Sequence, residues 1–381
     1  MLSPVKAAPR SERRLGDSNL LKLGIFGANC SSGLAATNVP ERWQATWQNN
    51  VALAALAESA GIDFMLPLAR WQGYRGKSEF ECVSLETLSW AGGLLAATKE
   101  ITVFGTVHAP MVHPVFGAKQ MATVDHVGSG RFGINIVCGW NPGEFEMFGL
   151  EELGHDERYA YGQEWWDVVR RIWDGETFDF KGRYFNLKNV SGKPTPWLSA
   201  RPIVMNAGAS GPGRDFAARN CDLLFTILTD LERGKNDLAQ IKALAEQIGR
   251  EVDVLTTCYV VCRSTRREAE DYHRYYAEEN ADAEAVDHWY DMQAKHTRGR
   301  PPELRDLFKK RFAAGHGCYP LIGTPDDIAI ELSRISSAGF AGTTIAFVNY
   351  LDEFPYFAAE VLPRLERMNL RMPRLHSGLA R

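Results

Sequence analysis

A chain of 381 residues is longer than most single domains but lies within the roughly 200 to over 400 residues that one (β/α)₈ barrel with insertions can occupy. Hydrophobic residues make up 45% and charged residues 24% of the chain, a balance that supplies a sizeable core and excludes a disordered protein. A formal net charge of -4 provides no broad basic field for a phosphodiester backbone, so no nucleic-acid partner is expected.

Residues 1–19 are polar, with Arg10, Arg13 and Arg14 and no apolar signal-type run, and read as a flexible arm before a single domain over 20–381. From Leu21 onward, short apolar runs alternate with amphipathic stretches, the pattern of βαβ units around a parallel sheet. Strands are predicted at Leu21–Phe26, Phe64–Leu68, Ile101–Thr106 and Phe132–Val137, with helices near 43–60, 85–97 and 115–127 between them. In the fourth strand Phe132, Ile134 and Ile136 share one face and Gly133, Asn135 and Val137 the other, so Asn135 is expected toward the barrel interior or its upper rim. A long helix over 156–173 follows, with Trp165, Val168, Val169 and Ile172 on one stripe. Strands at Ile203–Met205, Leu223–Thr226, Val254–Val261 and Thr343–Val348 complete eight, and further helices are predicted near 213–220, 231–248, 266–280, 325–338 and 354–367. Thr324-Pro325-Asp326-Asp327 has the order of a capped helix start. The stretch of about 282–320 breaks the rhythm and reads as an insertion over the barrel mouth.

Seven scattered cysteines, without a CxxC pair, read as reduced thiols of a cytoplasmic protein; no stretch is long and apolar enough for a membrane span, and no metal site is expected. The segment 206–214, rich in glycine and opening a helix, with Ser210 as an added hydroxyl donor, suits a phosphate group, although a plain strand-to-helix turn has the same composition. Asn135 is a buried amide in need of partners. Trp140 and Glu144 follow the fourth strand, where barrel enzymes place their sites, and read equally as a core ring and a solvated charge. His108 and His113 follow the third strand and serve either as loop residues or as proton donors, while Cys138 reads as a core thiol.

The blocks Gly133–Trp140 with Glu144-Phe145, His155–Tyr159, Ala118–His126, Lys181–Phe185 and Ile322–Pro325, in this order, resemble the bacterial-luciferase-like flavin monooxygenases. Within them the chain is most similar to the pyrimidine oxygenases and the dimethyl-sulfone monooxygenases. The resemblance implies a TIM barrel that takes reduced FMN (FMNH₂) from an NAD(P)H-dependent flavin reductase, uses O₂ as co-substrate and oxygenates a small molecule as a homodimer or homotetramer. By position it implies cofactor contacts at Ala69, Arg70, Asn135, Glu144, Arg158, Tyr159, Gly208 and Ser210, the last with Arg158 and Tyr159 on the phosphate side. It also implies an oxygen-side pair of Thr106 and Asn135, with Trp140 and His108 as further catalytic candidates. The substrate expected is a nitrogen heterocycle or cyclic amide that undergoes ring opening. Oxygenation of an alkyl sulfone, F420-dependent hydride transfer and non-catalytic flavin binding stand as alternatives.

Overall fold

The computed structural model describes residues 15, 19–151, 153–208, 210–293 and 302–373. The expected arm lies outside these residues except for Leu15, which is buried against the core, and Asn19, and residues 294–301 of the expected insertion also lie outside.

Eight parallel strands close a barrel: β1 (Lys22–Phe26), β2 (Phe64–Leu66), β3 (Thr102–His108), β4 (Phe132–Val137), then β7 (Ile203–Asn206), β8 (Leu223–Phe225), β9 (Asp253–Cys262) and β11 (Gly342–Ala346), which pairs back onto β1. All eight coincide with the runs read from the sequence, within a few residues at their ends. Helices wrap the outside: α1 (Trp47–Ser59), α2 (Thr87–Ala97), α3 (Pro114–Val127), α5 (His155–Trp173), α6 (Gly211–Asn220), α7 (Leu231–Gln247), α8 (Arg266–Arg274), α11 (Pro325–Ser337), α12 (Tyr350–Glu360) and α13 (Leu362–Arg367). Their buried faces and the outward faces of the strands form one continuous core, rich in Leu, Ile, Val and Phe. Thr324 and Asp327 make the reciprocal cap expected at the start of α11.

Three elements were not expected. An antiparallel hairpin, β5 (Phe178–Lys181) with β6 (Asn186–Val190), lies outside the barrel between α5 and β7. A short helix, α4 (Pro142–Met147), carries Glu144 where a loop was expected. A ninth strand, β10 (Tyr319–Gly323), begins within the stretch read as irregular and runs beside the upper half of β9, on the edge that short β8 leaves free above Leu255.

Two helices, α9 (Ala283–Met292) and α10 (Pro302–Gly315), come before β10. They pack on a separate apolar cluster in which Trp289 stacks on Phe312 at 4.1 Å, while Tyr74 and Phe80 of the loop after β2 complete the contact. Asp282 caps α9 and accepts a bond from Ser78 N at 2.7 Å, which fastens that loop to the helix pair. Among the described residues no helix is long and apolar enough to cross a membrane, and no group of His, Cys, Asp and Glu could hold a metal ion.

Candidate active site

At the C-terminal ends of the barrel strands a cavity of about 430 Å³ opens, the position where barrel enzymes assemble their sites. Its wall is mostly apolar and includes Phe26, Leu66, Leu68, Ala69, Val137 and Trp140, with Trp289 and His316 reaching in from α9 and the end of α10. Its polar lining includes Arg70, Thr106, His108 and Asn135, with Thr226, Thr257 and Gln293. Sequence reasoning therefore brought Ala69, Arg70, Thr106, His108, Asn135 and Trp140 to one place.

The polar atoms on β3 and β4 are ordered by elimination. The Pro67 carbonyl can only accept, so the Thr106 hydroxyl donates to it at 2.9 Å and is left to accept from Asn135 Nδ2 at 3.3 Å. The Asn135 amide thus turns its Oδ1 the other way, where it is buried without a partner. The expected oxygen-side pair is present as neighbours in the β3–β4 register, yet the free atom it offers is an acceptor. His108, the last residue of β3, is 4% exposed, and its Nδ1 is also unpartnered. Burial, then the nearby charge of Arg70, pushes it down to about 4, so it is neutral near pH 7 and holds no proton to give as an imidazolium. His113 is exposed, caps α3 and lies outside the cavity.

Arg70 sits in a network that sequence spacing could not show. Its Nε donates to Glu81 at 2.7 Å, and His316 Nδ1 pairs with the other Glu81 oxygen at 2.8 Å. Glu144 lies 3.6 Å from Arg70 Nη1. Burial alone would raise the Glu81 carboxyl, but Arg70 and then His316 outweigh it and hold it below its ordinary value. Glu144 is 1% exposed, and one of its oxygens accepts from Trp71 N at 2.9 Å and Gln72 N at 3.3 Å. It is therefore neither a solvated charge nor part of the cavity wall: it fixes the loop that presents Arg70. Asn29, fully buried, ties the same loop to β1 through Leu68 and Leu85.

Of the residues expected on the phosphate side, Tyr159, Gly208 and Ser210 meet at the start of α6. Ser210 caps that helix, accepting from Gly213 N at 3.3 Å, and no acidic residue occupies the first turn. The Tyr159 hydroxyl lies beside Ser210 and against Gly213, where a Cβ would fall 2.6 Å from it. A Cβ at Gly208 would meet Asn206 Oδ1 at 2.5 Å and Gly213 Cα at 2.7 Å, so only glycines permit this approach. Ala207, one residue before Gly208, lines the cavity. Arg158 donates to the carbonyl of Gly139 at 2.7 Å, bracing α5 against the loop after β4. Burial pushes the Cys138 thiol up to about 12, which fits a core thiol rather than a nucleophile.

Asn206 was missed as a site residue. Its Nδ2 donates to Ile136 O at 2.7 Å and its Oδ1 is buried without a partner. The signal was a polar residue closing an apolar strand, next to the glycine-rich segment it opens.

The family model for luciferase-like monooxygenases matches residues 21–342. The chain belongs to the luciferase-like monooxygenase family. Among its relatives, the FMNH₂-dependent dimethylsulfone monooxygenase of Pseudomonas fluorescens is 31% identical over 356 residues, 92% of this chain and 96% of that one. The pyrimidine monooxygenase RutA of Escherichia coli O1:K1 is 30% identical over 375 residues, 94% of this chain and 96% of that one. A solved long-chain alkane monooxygenase superposes with a TM-score of 0.82 at 20% identity, covering 94% of each chain, and shows the same barrel. The family assignment and the closed barrel thus agree with the fold read from the sequence.

Proposed function

We propose that this luciferase-like monooxygenase is the oxygenating component of a two-component system. It takes reduced FMN from an NAD(P)H-dependent flavin reductase and uses O₂ to oxygenate a small nitrogen heterocycle or cyclic amide. The observation that carries this reading is the unpartnered Oδ1 of Asn135 in the wall of an apolar cavity whose lining includes Ala207, the residue before the glycine cradle at α6. A buried acceptor needs a donor, and the ring of reduced flavin presents N–H groups, while a helix start without acids suits its phosphate. The residues present therefore fit the group. The FMNH₂ dependence of the Pseudomonas relative, about as long as this chain, supports the same cofactor.

When bound, reduced FMN supplies the electrons that activate O₂. The protein's own residues position and shield. Ser210, Gly208, Tyr159 and Arg158 would hold the phosphate, and Ala69, Arg70 and Trp140 the ring. Asn135 would accept from a ring N–H, and Thr106, locked between Pro67 and Asn135, would keep that amide oriented. Glu144 would act through the loop it braces. Trp289 and the apolar wall would exclude water, which protects a reactive oxygen species from loss. We read the protein as a single barrel domain over 20–381, with the helix pair over the mouth as its insertion, working in the cytoplasm as a homodimer or homotetramer. The free thiols of all seven cysteines suit a reducing compartment.

Anaerobic titration with FMNH₂, FMN and reduced F420 tests the cofactor. The expected order has FMNH₂ at least about tenfold tighter than FMN, with F420 weakest. Preference for F420 would replace the oxygenase reading with hydride transfer, and tight FMN without reduction dependence would favour a flavin carrier.

A further inference from the structure

A second cavity, of about 240 Å³, lies beside the first and shares Ala69, Arg70, Thr106 and His108 with it. It is smaller than the roughly 300–1,000 Å³ of sites for drug-sized ligands, so it suits a small ring rather than a large cofactor. Several polar side chains around it are already committed within the protein. Ser84 donates to Arg70 O at 2.6 Å, Thr87 to Thr106 O at 2.6 Å, and Glu86 caps α2. Two polar groups on the wall shared by both cavities are not. Arg70 Nη1 and His108 Nδ1 are buried without hydrogen-bond partners, on residues 6% and 4% exposed. Leaving such groups unmatched is unfavourable, more so where the group is charged, and a ligand can remove that cost.

The charge around Arg70 decides what kind of ligand. One guanidinium faces two buried carboxylates, Glu81 at 2.7 Å and Glu144 at 3.6 Å, so its charge is already spent, and His108 beside it is neutral. An anionic substrate would bring a third negative group to a site whose guanidinium is already paired with two. A neutral oxygen meets no such penalty and satisfies the Nη1 donor.

We propose that Arg70 and His108 form the substrate-reading wall of this enzyme, selecting an uncharged small molecule whose carbonyl or sulfonyl oxygen accepts from Arg70 Nη1 while a second polar atom meets His108 Nδ1. The inference rests on the oxygenase reading above and narrows it: carboxylates and bare hydrocarbons are excluded, and His108 is a specificity-determining residue.

The test is binding, read by saturation-transfer NMR and calorimetry on the protein in saturating FMN. The probes are 2-pyrrolidinone (a lactam), sulfolane (a sulfone), thiolane (the same ring without acceptor oxygens) and pyroglutamate (the lactam with a carboxylate). The lactam, the sulfone or both should bind at least about tenfold tighter than thiolane and pyroglutamate, the worth of one well-made hydrogen bond. The better of the two names the oxygen that the site prefers. His108→Ala should weaken that binding about tenfold while His108→Asn restores part of it, which separates recognition from a folding defect. Pyroglutamate or thiolane binding as tightly as the neutral polar rings would overturn the proposal, as would no binding of any probe at millimolar concentration, or a folded His108→Ala that binds like wild type. Flavin fluorescence in the same samples reports FMN separately, so a failure here with FMN bound leaves the cofactor reading standing.

Discussion

Glu81→Ala should loosen both the barrel mouth and the helix pair above it. Glu81 is fully buried, bonds Arg70 on one oxygen and His316 on the other, and so joins the loop after β2 to the end of α10. Removing one member of a buried ion pair costs about 3–5 kcal/mol, and because Glu144 remains 3.6 Å from Arg70 the lower end applies, about 3 kcal/mol. Glu81 also holds a left-handed backbone, φ 56°, which costs an L-residue about 1–2 kcal/mol; alanine keeps that cost and loses the bonds that offset it. At about 2.1 cal/mol/K per residue, 381 residues give an unfolding entropy of about 0.8 kcal/mol/K, so the expected loss in Tm is about 4 °C. Glu81→Gln keeps an acceptor for Arg70 and should lose about half as much. Calorimetry measures the shift, and steady-state kinetics should show KM for the organic substrate rising more than kcat falls. A Glu81→Ala protein with Tm within about 1 °C of wild type would refute the bridging role.

Asn135→Ala should impair oxygen transfer more than FMNH₂ binding, and Ser210→Ala should do the reverse, weakening FMNH₂ by about tenfold as a cap and a phosphate contact are lost together; equal small effects would remove the site assignment. Gly208→Val should abolish flavin binding without unfolding the barrel, because its side chain would enter the contact with Gly213 and Asn206; normal flavin fluorescence titration of that variant would contradict the cradle. His108 takes up a proton at its ordinary value near 6.5 when unfolded but only at about 4 when folded. Stability should therefore fall as pH drops from about 6.5 toward 4, by up to about 3 kcal/mol, and His108→Gln should flatten that part of a Tm-against-pH curve; an unchanged curve would show that the ring is not held neutral.

The barrel was legible because its signals are local. Each strand is a short apolar run, each helix carries its stripe, and Thr324-Pro325-Asp326-Asp327 states its own cap. Asn135 was legible for a related reason, since a two-residue period separates it from Phe132, Ile134 and Ile136 and leaves an amide on the inner face. The hairpin at Phe178–Val190 was harder, because its exposed strands lack a sustained apolar face. β10 hid because its pairing is set by where β8 stops, at the Leu255 level of β9, and nothing in its own sequence states that.

 The Arg70–Glu81–His316 network was out of reach altogether. Glu81 and His316 are 235 positions apart, and nothing in either segment announces a partner. Glu144 was placed at the site by resemblance; Asn141-Pro142 marks the start of its helix, but its work, holding two backbone N–H groups of the Arg70 loop, joins segments more than 70 positions apart that nothing in either announces.

In the proposed reaction the barrel passes one atom of O₂ to a small organic molecule at the expense of reduced FMN. The direct measurement supplies the pure protein with FMNH₂ and ¹⁸O₂ and follows a panel of lactams, pyrimidines and alkyl sulfones by mass spectrometry. One ¹⁸O atom in the product of an uncharged substrate, lost on Asn135→Ala, is the predicted result. FMNH₂ oxidation that leaves every compound in the panel unlabelled would contradict it.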